Sequence, residues 1–242
     1  MLRTIIFFIV TVVSTGAYAL LAAIVGVFKE YAAFSYYHIV KPWSRLLLWV
    51  SGTSVEVIGA ENAVPGVPYV VVSNHQSNMD IPVLGYHLPM RFTFIAKKEL
   101  FKIPIFAQGM RGFGILEIDR SDRTRAIETL KTAAKVARSK KLSILGFPEG
   151  TRSADGKLKP FKKGAFVLAI NAGLPVLPVS IVGTYPIMPK DTLRLNAGQK
   201  VKLVIHPPID ASAYDFNDRN ILIEKAHQAV AEGLHEYSET VQ

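Results

Sequence analysis

The 242-residue chain has no cysteine, which excludes disulfide scaffolds, thiolate zinc sites and cysteine nucleophiles together. Acidic residues are few: 19 Asp and Glu face 28 Lys and Arg, a net charge of +9. Such a balance favours anionic partners, whether nucleic acid, acidic lipid or a phosphorylated substrate. Charge of either sign is scarce at 19% of residues, half the chain is apolar, and mean hydropathy is +0.26. Those values exclude a disordered or low-complexity chain and are oily for a freely soluble one. Several chemistries lack their sequence signature. No G-x-S-x-G nucleophile elbow and no H-E-x-x-H occurs, and the six His are scattered, so no metal site is expected. The stretch from Gly150 to Gly156-Lys157 resembles a P-loop but has five intervening residues and is followed by Leu158.

The charge that exists is unevenly spread. Residues 1–53 hold only Arg3, Lys29, Lys41, Arg45 and Glu30, and Thr4 to Phe28 is a 25-residue stretch with none. As a helix rising about 1.5 Å per residue, that stretch exceeds a hydrocarbon core of about 30 Å. A cleaved signal peptide competes with this reading, since Arg3 precedes the apolar run and Ala17-Tyr18-Ala19 fits a small-x-small site. Against it, the run continues through Leu20 to Val25. A retained membrane helix, spanning or dipping in, is the expectation. The segment from Tyr36 to Val50 sets two Tyr, two Trp and two cations among aliphatics, as a membrane–water interface selects.

From about Thr53 the texture becomes alternating α/β. β-Branched runs at 55–58, 69–73, 92–96, 142–147, 176–182 and 201–206 read as strands. Helical stretches fall at 122–138, with Ser121 or Asp122 as N-cap, and at 161–172 and 221–237. The expected fold class is α/β, a mixed, mostly parallel sheet flanked by helices. The expected organisation is residues 1–52 as membrane-anchoring helices and 53–242 as one α/β domain. Leu174-Pro175-Val176-Leu177-Pro178-Val179 carries two prolines in a strand-like run and implies an edge or a bulge.

Polar residues gather where strands end. Tyr69–Ser73 runs into Asn74-His75-Gln76-Ser77-Asn78-Met79-Asp80, and Pro82 places a helix start near Asp80. A five-residue offset across a turn brings Asp80 back to His75. There a carboxylate fixes one imidazole nitrogen and leaves the other as a general base. The same two residues serve equally as turn and cap. Phe147-Pro148-Glu149-Gly150-Thr151-Arg152-Ser153 again follows a strand. Arg152 offers a planar fork for phosphate, and Glu149 can take a hydroxyl or hold the Arg. The run Gly112–Arg120 ends in a guanidinium beside a helix start, a plausible anion site. Two basic runs, 138–141 and 157–163, suit an acidic bilayer or a phosphorylated substrate as well as nucleic acid.

Taken in order, these blocks resemble the PlsC family of glycerolipid acyltransferases, specifically 1-acylglycerol-3-phosphate acyltransferases. His75–Asp80, led by Asn74, matches the first block. Gly114–Arg120 matches the second, Phe147–Ser153 the third and Leu174–Val179 the fourth, although Glu117 stands where the family usually has an apolar or aromatic residue. The resemblance implies acyl transfer from a thioester to the free hydroxyl of a lysophospholipid, with phosphatidic acid made from lysophosphatidic acid. His75 would be the base and Asp80 its orienting acid. Arg120 and Arg152 would hold the phosphate, with Lys97 as a further cation, Asn74 would join them in binding substrate, and Glu149, Gly150 and Thr151 would shape the glycerol end. It implies no cofactor beyond an acyl-CoA or acyl-carrier-protein thioester as co-substrate. Expected partners are lysophosphatidic acid and a phospholipid membrane, with no nucleic acid. The N-terminal segment would be a helix pair dipping into one leaflet of the cytoplasmic membrane, active face toward the cytoplasm, with acyl chains in an apolar groove or tunnel. Another acceptor (glycerol 3-phosphate or a different lysolipid) and a non-catalytic anionic-lipid binder remain as alternatives.

Overall fold

The apolar runs assemble into a single sheet because both its faces are covered, so the strands need no polar side. In the computed structural model, which describes residues 2–26, 36–104, 106–112, 114–119 and 123–238, the strands are β1 (Ser54–Ile58), β2 (Val70–Ser73), β3 (Phe92–Lys97), β4 (Leu116–Ile118), β5 (Ser143–Gly146), β6 (Val176–Val182) and β7 (Lys200–Ile205). Their order is β1-β7-β6-β2-β5-β3-β4, parallel throughout except for the antiparallel β6–β7 pair. The helices are α1 (Leu2–Gly26), α2 (Lys41–Ser51), α3 (Asp80–His87), α4 (Phe106–Gly112), α5 (Arg123–Lys140), α6 (Gly164–Ala172) and α7 (Arg219–Tyr237). The α/β class and the mixed, mostly parallel sheet are those expected from the pattern.

Strand periodicity divides the core into two layers. On β2, Val71 joins Leu145, Leu177 and Val179 with Phe7 of α1, Leu47 of α2 and Val83 of α3. Val70 and Val72 point the other way, to Ala133 of α5, Phe166 of α6 and Leu222 of α7. Residues before and after position 53 therefore share one core.

Of the two readings of the prolines after Leu174, an edge or a bulge, the structure shows the bulge. Val176–Val182 is fully buried and lies between β7 and β2. The C=O of Pro178 accepts the His206 N–H at 3.0 Å, and N and C=O of one strand residue face the same side, so the missing donor of Pro178 faces the β7 side as well. There the ladder ends at Val179–Ile205 and resumes as a lone bridge at Val176–Ile209. Three steps on β6 thus oppose four on its partner, a bulge at which no N–H is required. The helix expected from Phe161 begins instead at Gly164; the chain just before it is tied to the loop after β5, where the Lys162 N–H meets the Pro148 carbonyl at 2.9 Å. The proposed N-cap of α5 lies outside the described residues.

α1 is long and apolar enough to cross a membrane by length and composition. It lies along the domain. Gly109 of α4 gives the closest approach, since a Cβ there would stand 2.9 Å from that of Ala19. Several polar side chains of α1 bond within the protein. Arg3 Nε donates to Val50 O at 2.9 Å, Thr11 Oγ1 to Phe7 O at 2.7 Å, and Trp43 Nε1 to Thr15 Oγ1 at 3.2 Å. Its outward face carries Ile5, Ile6, Ile9, Val12, Val13, Leu20, Leu21 and Ile24, all exposed.

Asn74 extends the β2–β6 pairing with its side chain. Its Nδ2 donates to Ile181 O and its Oδ1 accepts the Ile181 N–H, both at 2.8 Å and fully buried. Asn74→Ala orphans both groups. The expected cost is about 2 kcal/mol or more, read as a lowered thermal midpoint of the purified protein.

Candidate active site

Three neighbouring parallel strands, β6, β2 and β5, present their C-terminal ends side by side. Ligand-reactive groups of open α/β sheets gather at such an edge. The loop after β2 carries His75, the loop after β5 carries Phe147–Ser153, and the turn after β6 carries Thr184.

Asp80 opens α3, and the preceding turn folds its carboxylate back under the loop. Oδ2 accepts Nδ1–H of His75 at 2.7 Å and the N–H groups of Gln76 and Ser77 at 2.7 and 2.9 Å. Oδ1 accepts Thr184 Oγ1–H at 2.6 Å. The Asp80 side chain is wholly buried, whereas that of His75 retains 18% exposure. With Nδ1 committed to the acid, Nε2 is the nitrogen left for chemistry. The imidazole is also held in plane by Phe147, stacked at 3.9 Å between centroids and 13° between planes.

Glu149 joins the two loops. Oε1 accepts the His75 N–H at 2.7 Å and Oε2 the Lys159 N–H at 3.0 Å, while Ser153 N–H returns to the His75 carbonyl at 2.7 Å. Burial pushes the Glu149 carboxyl above its ordinary range, and these two N–H donors oppose the rise. Gly150 follows with φ +78°, a conformation that suits glycine, and Lys162 Nζ lies so close that a Cβ would meet it at 2.8 Å.

His75 borders a cavity of about 1060 Å³ whose walls are overwhelmingly apolar. Phe7, Phe8 and Tyr18 of α1 and Met110 of α4 form one side, and Phe94, Leu145 and Phe147 another. The polar end holds His75, Asn78, Gly150, Lys162 and Lys163.

The expected site residues divide accordingly. His75 and Asp80 meet as anticipated, and Gly150 stands beside them. Asn74 does not face a ligand, because β6 consumes its amide; Glu149 does not either, because both its oxygens serve main-chain donors in a buried position. Thr151 is exposed and lies outside the cavity wall, and Arg152 is partly buried with no carboxylate partner among the described residues. Arg120 and the side chain of Lys97 lie outside the described residues; Lys97 itself ends β3 opposite Ile118. Glu117, the departure in the second block, is exposed with Arg111 at 3.9 Å. Sequence reasoning passed over Thr184, Phe147 as a stacking partner, and Lys162 and Lys163 as cavity residues. The position of Thr184 just past the buried run 176–182 was the available signal.

Residues 54–182 match the Acyltransferase family. The chain is 34% identical over 209 residues to the chloroplastic 1-acyl-sn-glycerol-3-phosphate acyltransferase BAT2 of Brassica napus, covering 86% of this chain and 58% of that protein. It is 32% identical over 198 residues to the human 1-acyl-sn-glycerol-3-phosphate acyltransferase alpha, covering 80% and 70% of the two. The crystal structure of the 1-acyl-sn-glycerophosphate acyltransferase PlsC from Thermotoga maritima superposes with a TM-score of 0.79 at 30% identity, over 97% of this chain and 94% of that one. The chain thus spans less than two thirds of the first plant relatives and nearly all of the bacterial structure. On the family match, these identities and the shared fold, the chain belongs to the Acyltransferase family, among the PlsC-type 1-acyl-sn-glycerol-3-phosphate acyltransferases.

Proposed function

We propose that the protein transfers a fatty acyl group from an acyl thioester to the free sn-2 hydroxyl of 1-acyl-sn-glycerol 3-phosphate, giving phosphatidic acid. The observation that carries this reading is an imidazole pinned by a buried carboxylate at the polar end of a large apolar cavity. His75 Nε2 accepts the hydroxyl proton as that oxygen attacks the thioester carbonyl. The tetrahedral adduct then collapses, the C–S bond breaks, and the imidazolium returns its proton to the departing thiolate. Asp80 stabilises the transient positive ring, and the cavity holds acyl chain in the reacting position. Holding both reactants beside a base supplies much of the rate by proximity.

Lys162 and Lys163 at the cavity supply positive charge for the acceptor's phosphate, and Arg152, which lies outside the cavity wall, carries the same assignment with Arg120 and Lys97 from the resemblance. The donor is an acyl-CoA or acyl-carrier-protein thioester. The exposed apolar face of α1 supports attachment to a membrane, from which lipid enters the adjoining cavity. Both thioesters are supplied in the cytoplasm, which favours a cytoplasmic face for the reaction.

The test is turnover by purified protein in mixed micelles, crossing both thioester classes with lysophosphatidate, glycerol 3-phosphate and other lysolipids. Lysophosphatidate is expected to be the preferred acceptor, and His75→Ala is expected to lower turnover by about 10²–10⁴-fold while the protein stays folded. Activity within a few-fold of wild type in that variant removes His75 from its role. Glu149→Gln places an NH₂ against one of the two main-chain donors. It is expected to cost about 1–3 kcal/mol of stability and to reduce turnover with it, measured by thermal midpoint and initial rate.

A further inference from the structure

We propose that Thr184 is a positioning residue for this reaction, its hydroxyl holding Oδ1 of Asp80 so that Oδ2 stays aimed at Nδ1 of His75. The proposal rests on the acyl transfer argued above. Three of the four donors to the Asp80 carboxylate reach one oxygen, and all three belong to the loop that the carboxylate itself closes: His75 Nδ1, Gln76 N and Ser77 N. Donors gathered on a single oxygen leave the carboxylate plane weakly fixed. The fourth comes from a different strand end and reaches the other oxygen at 2.6 Å, the shortest of the set.

Thr184 is suited to that task. It is fully buried, so water does not compete for the bond. Its β-branched side chain has few rotamers, and its carbonyl accepts the Ile187 N–H at 3.1 Å, which fixes the turn behind it. A hydroxyl facing a carboxylate oxygen donates, and it does not ionise. Bonds from both sides hold the carboxylate still while the ring beside it gains and loses a proton, and dipoles arranged in advance need no rearrangement during that step.

The charged groups around the pair among the described residues are Glu149, whose Oε1 takes the His75 N–H, Lys159 beyond it, and Lys162 and Lys163 at the cavity. None contacts Oδ1. Loss of the Thr184 hydroxyl therefore falls on Asp80 alone. A carboxylate with one donor fewer takes up a proton more readily. While it remains ionised, it also exerts a stronger pull on the imidazolium. Both effects move the acid limb of the kcat profile to higher pH.

The experiment compares full-length Thr184→Val, Thr184→Ala and Thr184→Ser with wild type, using lysophosphatidate and whichever thioester the wild type accepts. Val and Ala are expected to lower kcat by roughly 10–100-fold, with KM for both substrates nearly unchanged and the acid limb displaced upward. Ser is expected to restore most of the rate and the wild-type profile. Should Val fail to fold, the Ser and Ala variants decide the matter, because both lack the methyl group and only one has the hydroxyl. Equal kcat for Ser and Ala, a loss confined to KM, or a reduced kcat with an unmoved acid limb overturns the proposal. A wild type that acylates no lysolipid refutes the activity itself, an outcome separate from a wild type that works and Thr184 variants that match it.

Discussion

Burying a carboxylate is costly unless protein donors replace the water it loses. Asp80 has no exposed surface and four donors between 2.6 and 2.9 Å. The rest of the site depends on meeting that demand. Two donors are main-chain groups available only if the chain after β2 turns sharply, one is the imidazole, and one must come from the next strand. β2 lies directly beside β6, so the sheet order delivers Thr184 to the place where the loop leaves Oδ1 open. The same neighbourhood makes the imidazole rigid: Asp80 holds its edge, Phe147 covers its face, and Glu149 and Ser153 tie its backbone to the loop after β5.

The cavity gives this rigid pair something to act on. Its apolar walls come from both sides of position 53, α1 from before it and α4, β3 and β5 from after it. An N-terminal segment that were only a tether would leave the cavity open. Here α1 is part of its wall, and Gly109 lets α1 and α4 approach closely enough to close it. The outward face of α1 is equally apolar, so the helix that bounds the cavity also presents a surface suited to lipid. On the proposed function, one element with two apolar faces would serve both the access of a lipid substrate and the enclosure of its chain.

His75 and Asp80 were legible because five residues of separation across a turn, bounded by a buried strand and a helix start, allow the carboxylate to return to the ring, and the resemblance favoured that pairing over a turn and a cap. Asn74 and Glu149 were assigned to substrate from their places in the resembling blocks; in the fold both spend their hydrogen-bonding capacity on main chain that no local pattern identifies. α6 starts at Gly164 rather than Phe161, and the residues before it are held against the loop after β5 by the bond from Lys162 N–H to the Pro148 carbonyl. Pro178 sits in a central strand because its missing donor falls in a gap that the partner strand makes.

The amino-acid order alone determined the alternation of strands and helices, the long uncharged N-terminal run, and the blocks that carry the chemistry, because periodicity, charge and turn residues act over a few neighbours. The tertiary structure decided which of those polar groups are free. Hydrogen-bond satisfaction of a buried group is a long-range matter: Thr184 reaches Asp80 across 104 positions and Asn74 reaches Ile181 across 107, and such distances close only when the sheet does.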